Sequence, residues 1–137
     1  MALTVLDAGV LIAALDASDT HHEASIAVLR AARESGDALV VPASAYAEAL
    51  VGPSRRGAEA VATVDAFIDA LPAAVEPATR EVAREAAALR ATHGRSLRLP
   101  DALVVATAVV LGADRLLTTD AGWPQTIVAV EVLGGSR

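Results

Sequence analysis

Cysteine and lysine are both missing from the 137 residues. Without cysteine there is no disulfide, thiolate nucleophile, Cys-based zinc site or iron-sulfur cluster, a composition that fits a reducing compartment. All 11 basic residues are arginine. The missing lysine removes a Walker phosphate loop, Schiff-base chemistry and any receiver-domain or phosphatase mechanism that depends on lysine, although abundant alanine makes a GC-rich genome a sufficient reason for the bias. Aromatics are confined to Tyr46, Phe67 and Trp123, too few for base stacking to dominate recognition of nucleic acid. Long apolar runs are missing as well. The longest, Ala102 to Leu111 with one threonine, is about half the roughly 20 residues a membrane span needs. Met1 to Asp7 has neither the basic region nor the long apolar core of a signal peptide. The expectation is a soluble, cytoplasmic protein with no membrane partner.

A chain of this length forms one domain, residues 1–137, and buries roughly two-thirds of its unfolded surface without staples. Short β-branched or leucine-rich runs alternate with alanine-rich helical stretches, the pattern of an α/β fold with a mainly parallel sheet. Strands are expected at Leu3 to Leu6, Ala38 to Val41, Ala73 to Glu76, Arg115 to Thr118 and Thr126 to Val130. Helices are expected at about 8–15, 21–34, 43–51, 56–70, 78–92 and 101–111, with Gly36, Gly52, Gly94 and Gly112 at helix ends.

What the chain does contain is four acids set in apolar segments: Asp7 after Leu3-Thr4-Val5-Leu6, Glu48 within Pro42 to Val51, Asp101 in Leu99-Pro100-Asp101-Ala102-Leu103-Val104, and Asp120 after Leu116-Leu117-Thr118-Thr119. Buried carboxylates are unfavourable unless something neutralises them. Two of them about 4 Å apart repel by roughly 4 kcal/mol at an effective dielectric near 20, so a converging set takes up protons or a cation. In a parallel sheet, ligands bind outside the carboxyl ends of the strands. Asp7 and Asp120 follow strands one and four, Asp101 follows a proline suited to a first helical turn, and Glu48 is expected to point inward from a short helix. An all-oxygen set without a histidine cluster is the chemistry of Mg²⁺ or Mn²⁺ rather than zinc.

Each acid also has a plain structural use. Asp7 caps the next helix, Asp101 serves a helix dipole, and Asp120 with Gly122 makes a turn. Glu48 is the exception, since it lies four residues after Ser44, one too many for a capping box. One shared site accounts for all four.

The order and spacing of these residues resemble the PIN-domain nucleases over essentially the whole chain. More narrowly, Arg98-Leu99-Pro100-Asp101-Ala102-Leu103-Val104-Val105-Ala106-Thr107-Ala108 and Leu-Thr-Thr-Asp at 117–120 look like the VapC-type toxins of bacterial toxin-antitoxin systems. The resemblance implies a five-stranded parallel sheet flanked by helices, Mg²⁺- or Mn²⁺-dependent endoribonuclease activity, a homodimer and a cognate antitoxin. It assigns Asp7, Glu48, Asp101 and Asp120 to metal and catalysis and gives Thr118 the family's hydroxyl position. One departure is Gly9, where the family often has Ser or Asn two residues after the first Asp; the missing side chain would loosen the surroundings of Asp7. A cation held by the three Asp, with Glu48 reaching directly or through water, would activate a water for attack on a phosphodiester. Products would carry 5′-phosphate and 3′-OH ends.

Net charge is −6, so RNA needs local positive charge to approach. Arg55, Arg56 and Arg98 adjoin the acids in sequence and are the expected substrate contacts, whereas Arg80 and Arg84 alternate with Glu81 and Glu85 as a solvated helix face. The chain is 54% hydrophobic with a mean hydropathy of +0.47, which leaves apolar surface for a second subunit or an antitoxin. A haloacid-dehalogenase-type phosphatase is excluded by Gly9 and the missing lysine. The remaining rival is a catalytically silent PIN-like RNA- or protein-binding module.

Overall fold

In the computed structural model, residues 2–124 and 128–134 are described. The chain begins with β1 (Leu3–Leu6), α1 (Ala8–Leu15), α2 (His22–Glu34), β2 (Ala38–Pro42), α3 (Ala43–Arg56) and α4 (Ala58–Ala70). It continues with β3 (Ala73–Glu76), α5 (Arg80–His93), a 3₁₀ turn (Gly94–Ser96), α6 (Leu99–Leu111), β4 (Arg115–Thr118) and β5 (Val130–Val132). The five strands form one sheet in the order β3-β2-β1-β4-β5, and every neighbouring pair is parallel. This is the expected five-stranded parallel sheet flanked by helices.

β1 lies at the centre because it is apolar on both faces. Val5 and Leu6 are fully buried, as suits a strand covered by helices on either side. Val5 pairs with Val40 of β2 and with Leu116 of β4, so two sequence-distant strands meet on one short segment. The chain builds outward from β1 through β2 and β3, then returns to β1's other edge with β4 and β5. That reversal makes the gap between the carboxyl ends of β1 and β4 the topological switch point, where such sheets open a crevice. α6 is apolar almost all round, with Ala102, Val104, Val105, Ala106 and Ala108 buried, and it packs against α5. Gly112 closes it in the left-handed conformation at φ 63°, which glycine adopts without penalty.

Two boundaries depart from expectation. α3 does not stop at Gly52 but runs through Pro53 to Arg56. A proline this near the end removes little of the hydrogen-bond ladder, and its ring is buried. The stop comes instead at Gly57, whose φ of 123° turns the chain into α4. Arg55 and Arg56 therefore belong to the last turn of α3 rather than to a following loop. The fifth strand begins at Val130, with Val128 and Ala129 outside it; Thr126 and Ile127 lie outside the described residues. No helix among the described residues is long and apolar enough to cross a membrane.

Candidate metal and RNA site

The site starts from β1. Asp7 follows Leu6 directly, and its backbone N–H continues the ladder to Leu117 O at 3.0 Å, which locks it between β1 and β4. Its side chain caps α1, Oδ1 accepting from Ala8 N–H at 2.8 Å. Its other oxygen, Oδ2, accepts from the Thr118 hydroxyl at 2.8 Å. Thr118 Oγ1 in turn accepts the Asp120 backbone N–H at 3.0 Å. One fully buried hydroxyl thus sets the spacing between the carboxylate after β1 and the chain carrying Asp120. Asp120 itself is exposed, and its Oδ1 accepts from Gly122 N–H at 2.8 Å. The cap and the turn foreseen as plain structural uses are both present, and both acids still lie at one corner of the sheet.

Asp7 is only 7% exposed. Burial pushes its carboxyl up to about 6, against the hydrogen bonds from Thr118 and Ala8, and the charges of Asp101 and Glu48 push it the same way. Asp101, in the first turn of α6 behind Pro100, is half-buried; burial and then Asp120 raise its carboxyl, with Trp123 and Arg98 partly opposing. Glu48 is raised by partial burial and then by Asp101. The four acids thus form a connected set of charges: Asp7 senses Asp101 and Glu48, and Asp101 senses Asp120. Among the described residues, however, no three acidic or histidine side chains already form a metal cage. The donor set is all oxygen and mutually repelling, which fits a hard cation that closes the last distances itself.

Glu48 does not point inward as expected. It is exposed, and it lines a groove of about 620 Å³ together with Ile12, Pro53, Arg56, Thr63 and Val64. The helix face decides this: Ala45 and Ala49, on either side of Glu48, supply the buried stripe of α3. Arg56 lies in the same groove, near enough to Asp16 to help lower its carboxyl. Arg55 is exposed and lines neither of the two recesses. Of the three arginines singled out in the sequence, only Arg98 sits with Asp101 and Asp120, in a polar recess of about 210 Å³. His22 Nδ1 donates to Ala13 O at 2.8 Å and joins α2 to α1, a structural use.

Sequence reasoning passed over Trp123 and Thr119. Trp123 lines the polar recess, is 4% exposed, and its buried indole N–H has no hydrogen-bond partner among the described residues. Its being the single tryptophan, three residues after Asp120, was the available signal. Thr119 bears on the departure at Gly9, since a Cβ there would overlap Thr119 Oγ1. The space that a side chain at position 9 would take is filled by a hydroxyl from β4's end.

A parallel α/β sheet with acids gathered at its switch point defines the class of the protein. The family model described as PIN domain matches residues 4–128, and the chain belongs to the PIN-domain family. No curated protein matches the sequence. Among solved structures, VapBC2 from Rickettsia felis, bound to a fragment of its promoter DNA, is similar at 13% identity with a TM-score of 0.74, over 96% of this chain and 99% of that one. A toxin-antitoxin complex from Klebsiella pneumoniae is similar at 19% identity and a TM-score of 0.72, over 94% and 96%. Mycobacterium tuberculosis VapC20, described as a sarcin-ricin loop cleaving toxin, is similar at 19% identity and a TM-score of 0.66, over 82% and 86%.

Proposed function

We propose that this protein is a divalent-metal-dependent endoribonuclease and the toxin of a type II toxin-antitoxin pair. The observation that carries the reading is Asp7, a buried carboxyl raised to about 6 beside the charges of Asp101 and Glu48, at the sheet's switch point. Such a group favours a proton or a cation, and at neutral pH the cation wins if one is present. Membership of the PIN family and likeness to a toxin-antitoxin complex and to an RNA-cleaving toxin support it.

Asp7, Asp101 and Asp120 would hold Mg²⁺ or Mn²⁺, with Glu48 reaching from the groove directly or through water. The ion, when bound, supplies a water of lowered pKa and neutralises charge on the phosphodiester oxygens. Thr118 fixes the orientation of Asp7, so that the carboxylate is aimed before any ligand arrives. Arg98 offers a guanidinium fork to phosphate next to the acids. The 620 Å³ groove, with Ile12 42% exposed and Glu48 on its wall, suits an antitoxin segment whose binding would also cover the site. Exposed Val51, Val75 and Leu99 offer apolar surface for a homodimer. We place the activity in the cytoplasm, where RNA is.

The test is cleavage of a folded RNA with Mn²⁺ or Mg²⁺, alongside EDTA and Asp101→Asn controls. Cleavage abolished by either control, with 5′-phosphate product ends, is the expected result. The second reading is a silent binding module, favoured by the position of Glu48 on the wall of the groove, apart from the recess that Asp101 and Asp120 line. Equal RNA affinity of wild type and Asp101→Asn, with no cleavage in either ion, would establish that module instead.

A further inference from the structure

The polar recess beside the acids has a composition the metal does not account for. Arg95, Ser96, Arg98 and Trp123 line it together with Asp101 and Asp120. The two carboxylates serve a cation, and the Ser96 hydroxyl already donates to His93 O at 2.8 Å, but the two arginines and the indole present hydrogens. Arginine and indole are donors only, and a cation satisfies none of them. Trp123 is the decisive member. Its N–H is buried and meets no acceptor at hydrogen-bond geometry among the described residues, the Asp101 carboxylate lying beside it but outside that geometry. A buried donor without a well-placed acceptor is unfavourable, and here it borders a recess in which two guanidinium groups stand beside two carboxylates.

We infer that this recess seats one phosphodiester of the RNA strand, adjacent to the bond that is cut, with Arg95 and Arg98 on its non-bridging oxygens and the Trp123 indole N–H donating a third, orienting hydrogen bond. A phosphodiester offers accepting oxygens to both guanidinium groups and to the indole. The recess of about 210 Å³ has room for about seven waters at roughly 30 Å³ each, the scale of one hydrated phosphate group. Arg95, Ser96 and Arg98 come from the turn between α5 and α6, and Trp123 from the segment after β4. The recess therefore bridges the two stretches that carry Asp101 and Asp120, and a phosphate held there fixes the strand's register against both acids. Arg95 becomes a substrate contact on the same footing as Arg98, and Trp123 a binding residue rather than a core residue alone.

The inference rests on the ribonuclease reading, and its test uses binding as well as cleavage. Affinity of the full-length protein for a labelled single-stranded RNA is measured in EDTA by fluorescence anisotropy across a salt series. Arg95→Gln is expected to weaken binding about tenfold and to reduce the slope of log affinity against log salt by about 0.7, one phosphate contact on a single strand. Trp123→Phe is expected to weaken binding about threefold with the slope unchanged, because the indole carries no charge. A scan of single methylphosphonate linkages should find one position at which neutralising the RNA removes the Arg95→Gln effect. Arg95 is exposed, so its variant keeps the fold and carries the test even if Trp123→Phe does not. Wild-type cleavage with unchanged affinity in both variants would mean a recess that holds water alone, and would overturn this inference while leaving the nuclease standing. No RNA binding and no cleavage by the wild type would overturn both.

Discussion

The Thr118 hydroxyl donates to Asp7 Oδ2 at 2.8 Å across 111 residues of sequence, and Thr118 Oγ1 itself accepts the Asp120 N–H at 3.0 Å. Thr118 is fully buried and Asp7 only 7% exposed, so water does not replace the hydroxyl at the carboxylate. Thr118→Val keeps the shape and removes the relay. Leaving the buried Asp7 acceptor unmet costs about 1–3 kcal/mol, and a loss near 2 lowers Tm by roughly 5–10 °C in a domain of this size. Thr118→Ser should restore most of it. The melting temperatures of the three proteins in EDTA check the relay without reference to activity. Cleavage should fall in Thr118→Val and return in Thr118→Ser.

Asp7 predicts a pH dependence of stability with an unusual sign. Its carboxyl is raised from 3.8 to about 6, first by burial. The folded chain therefore binds this proton more tightly than the unfolded chain does. Stability from this group is full below about pH 4 and is lost as pH rises through about 6. The whole shift corresponds to about 3 kcal/mol. Asp7→Asn keeps a good helix cap and removes the buried charge. In EDTA at pH 7.5 it should melt above the wild type, with the gap closing toward pH 4. A Tm gap independent of pH would contradict the burial argument. With Mn²⁺ added, the wild type should gain Tm at pH 7.5 and Asp7→Asn should not.

Much of this corner was legible in the chain because its signals are local. A buried strand ending in an acid, as in Leu3 to Asp7, and a proline before Asp101 are read directly, and the parallel sheet follows from the alternation of such strands with helices. Glu48 was not legible. Its neighbours are alanines, and alanine is small enough to sit on either the buried or the open face of α3, so composition gave no orientation. The end of α3 was missed for a related reason: Gly52-Pro53 reads as a break, but only φ at Gly57 tells where the turn is made. Trp123 carried one hint, as the single tryptophan three residues after Asp120, but its significance, like that of Thr119, is a distance to Asp101 or Gly9 that no spacing in the sequence encodes.

Arg115 holds the opposite, amino-terminal edge of the sheet. Its Nε donates to Thr4 Oγ1 at 3.1 Å, and its guanidinium meets Glu131 of β5 at 3.0 Å and Asp37, before β2, at 3.5 Å. The partly exposed ion pairs are worth about 0–1 kcal/mol each, whereas the buried Thr4 hydroxyl loses a partner at about 1–3 kcal/mol. Arg115→Met keeps the apolar stem and should destabilise by about 1–3 kcal/mol, little of it sensitive to salt. Cleavage at a temperature where the variant remains folded should match the wild type, because the strap and the acids occupy opposite ends of the strands. A loss of cleavage without a loss of Tm would place Arg115 in the site and contradict this account.

Gly9 and Thr119 compete for one volume. A Cβ on Gly9 would overlap Thr119 Oγ1, yet alanine in the first turn of α1 gains about 1 kcal/mol of helix propensity over glycine. Thr119 is β-branched and half-buried, so its hydroxyl does not swing away freely. Gly9→Ala alone should therefore be neutral or destabilising. In a Thr119→Ala background the same change should stabilise by about 1 kcal/mol, giving a coupling of roughly 1–2 kcal/mol in a double-mutant cycle. Gly9→Ser with Thr119→Ala carries the argument to function, for it moves a hydroxyl from the end of β4 onto α1 in the same space beside Asp7. That double variant should cleave better than Gly9→Ser alone. If the two changes prove additive in both Tm and cleavage, the two positions do not share that volume in solution.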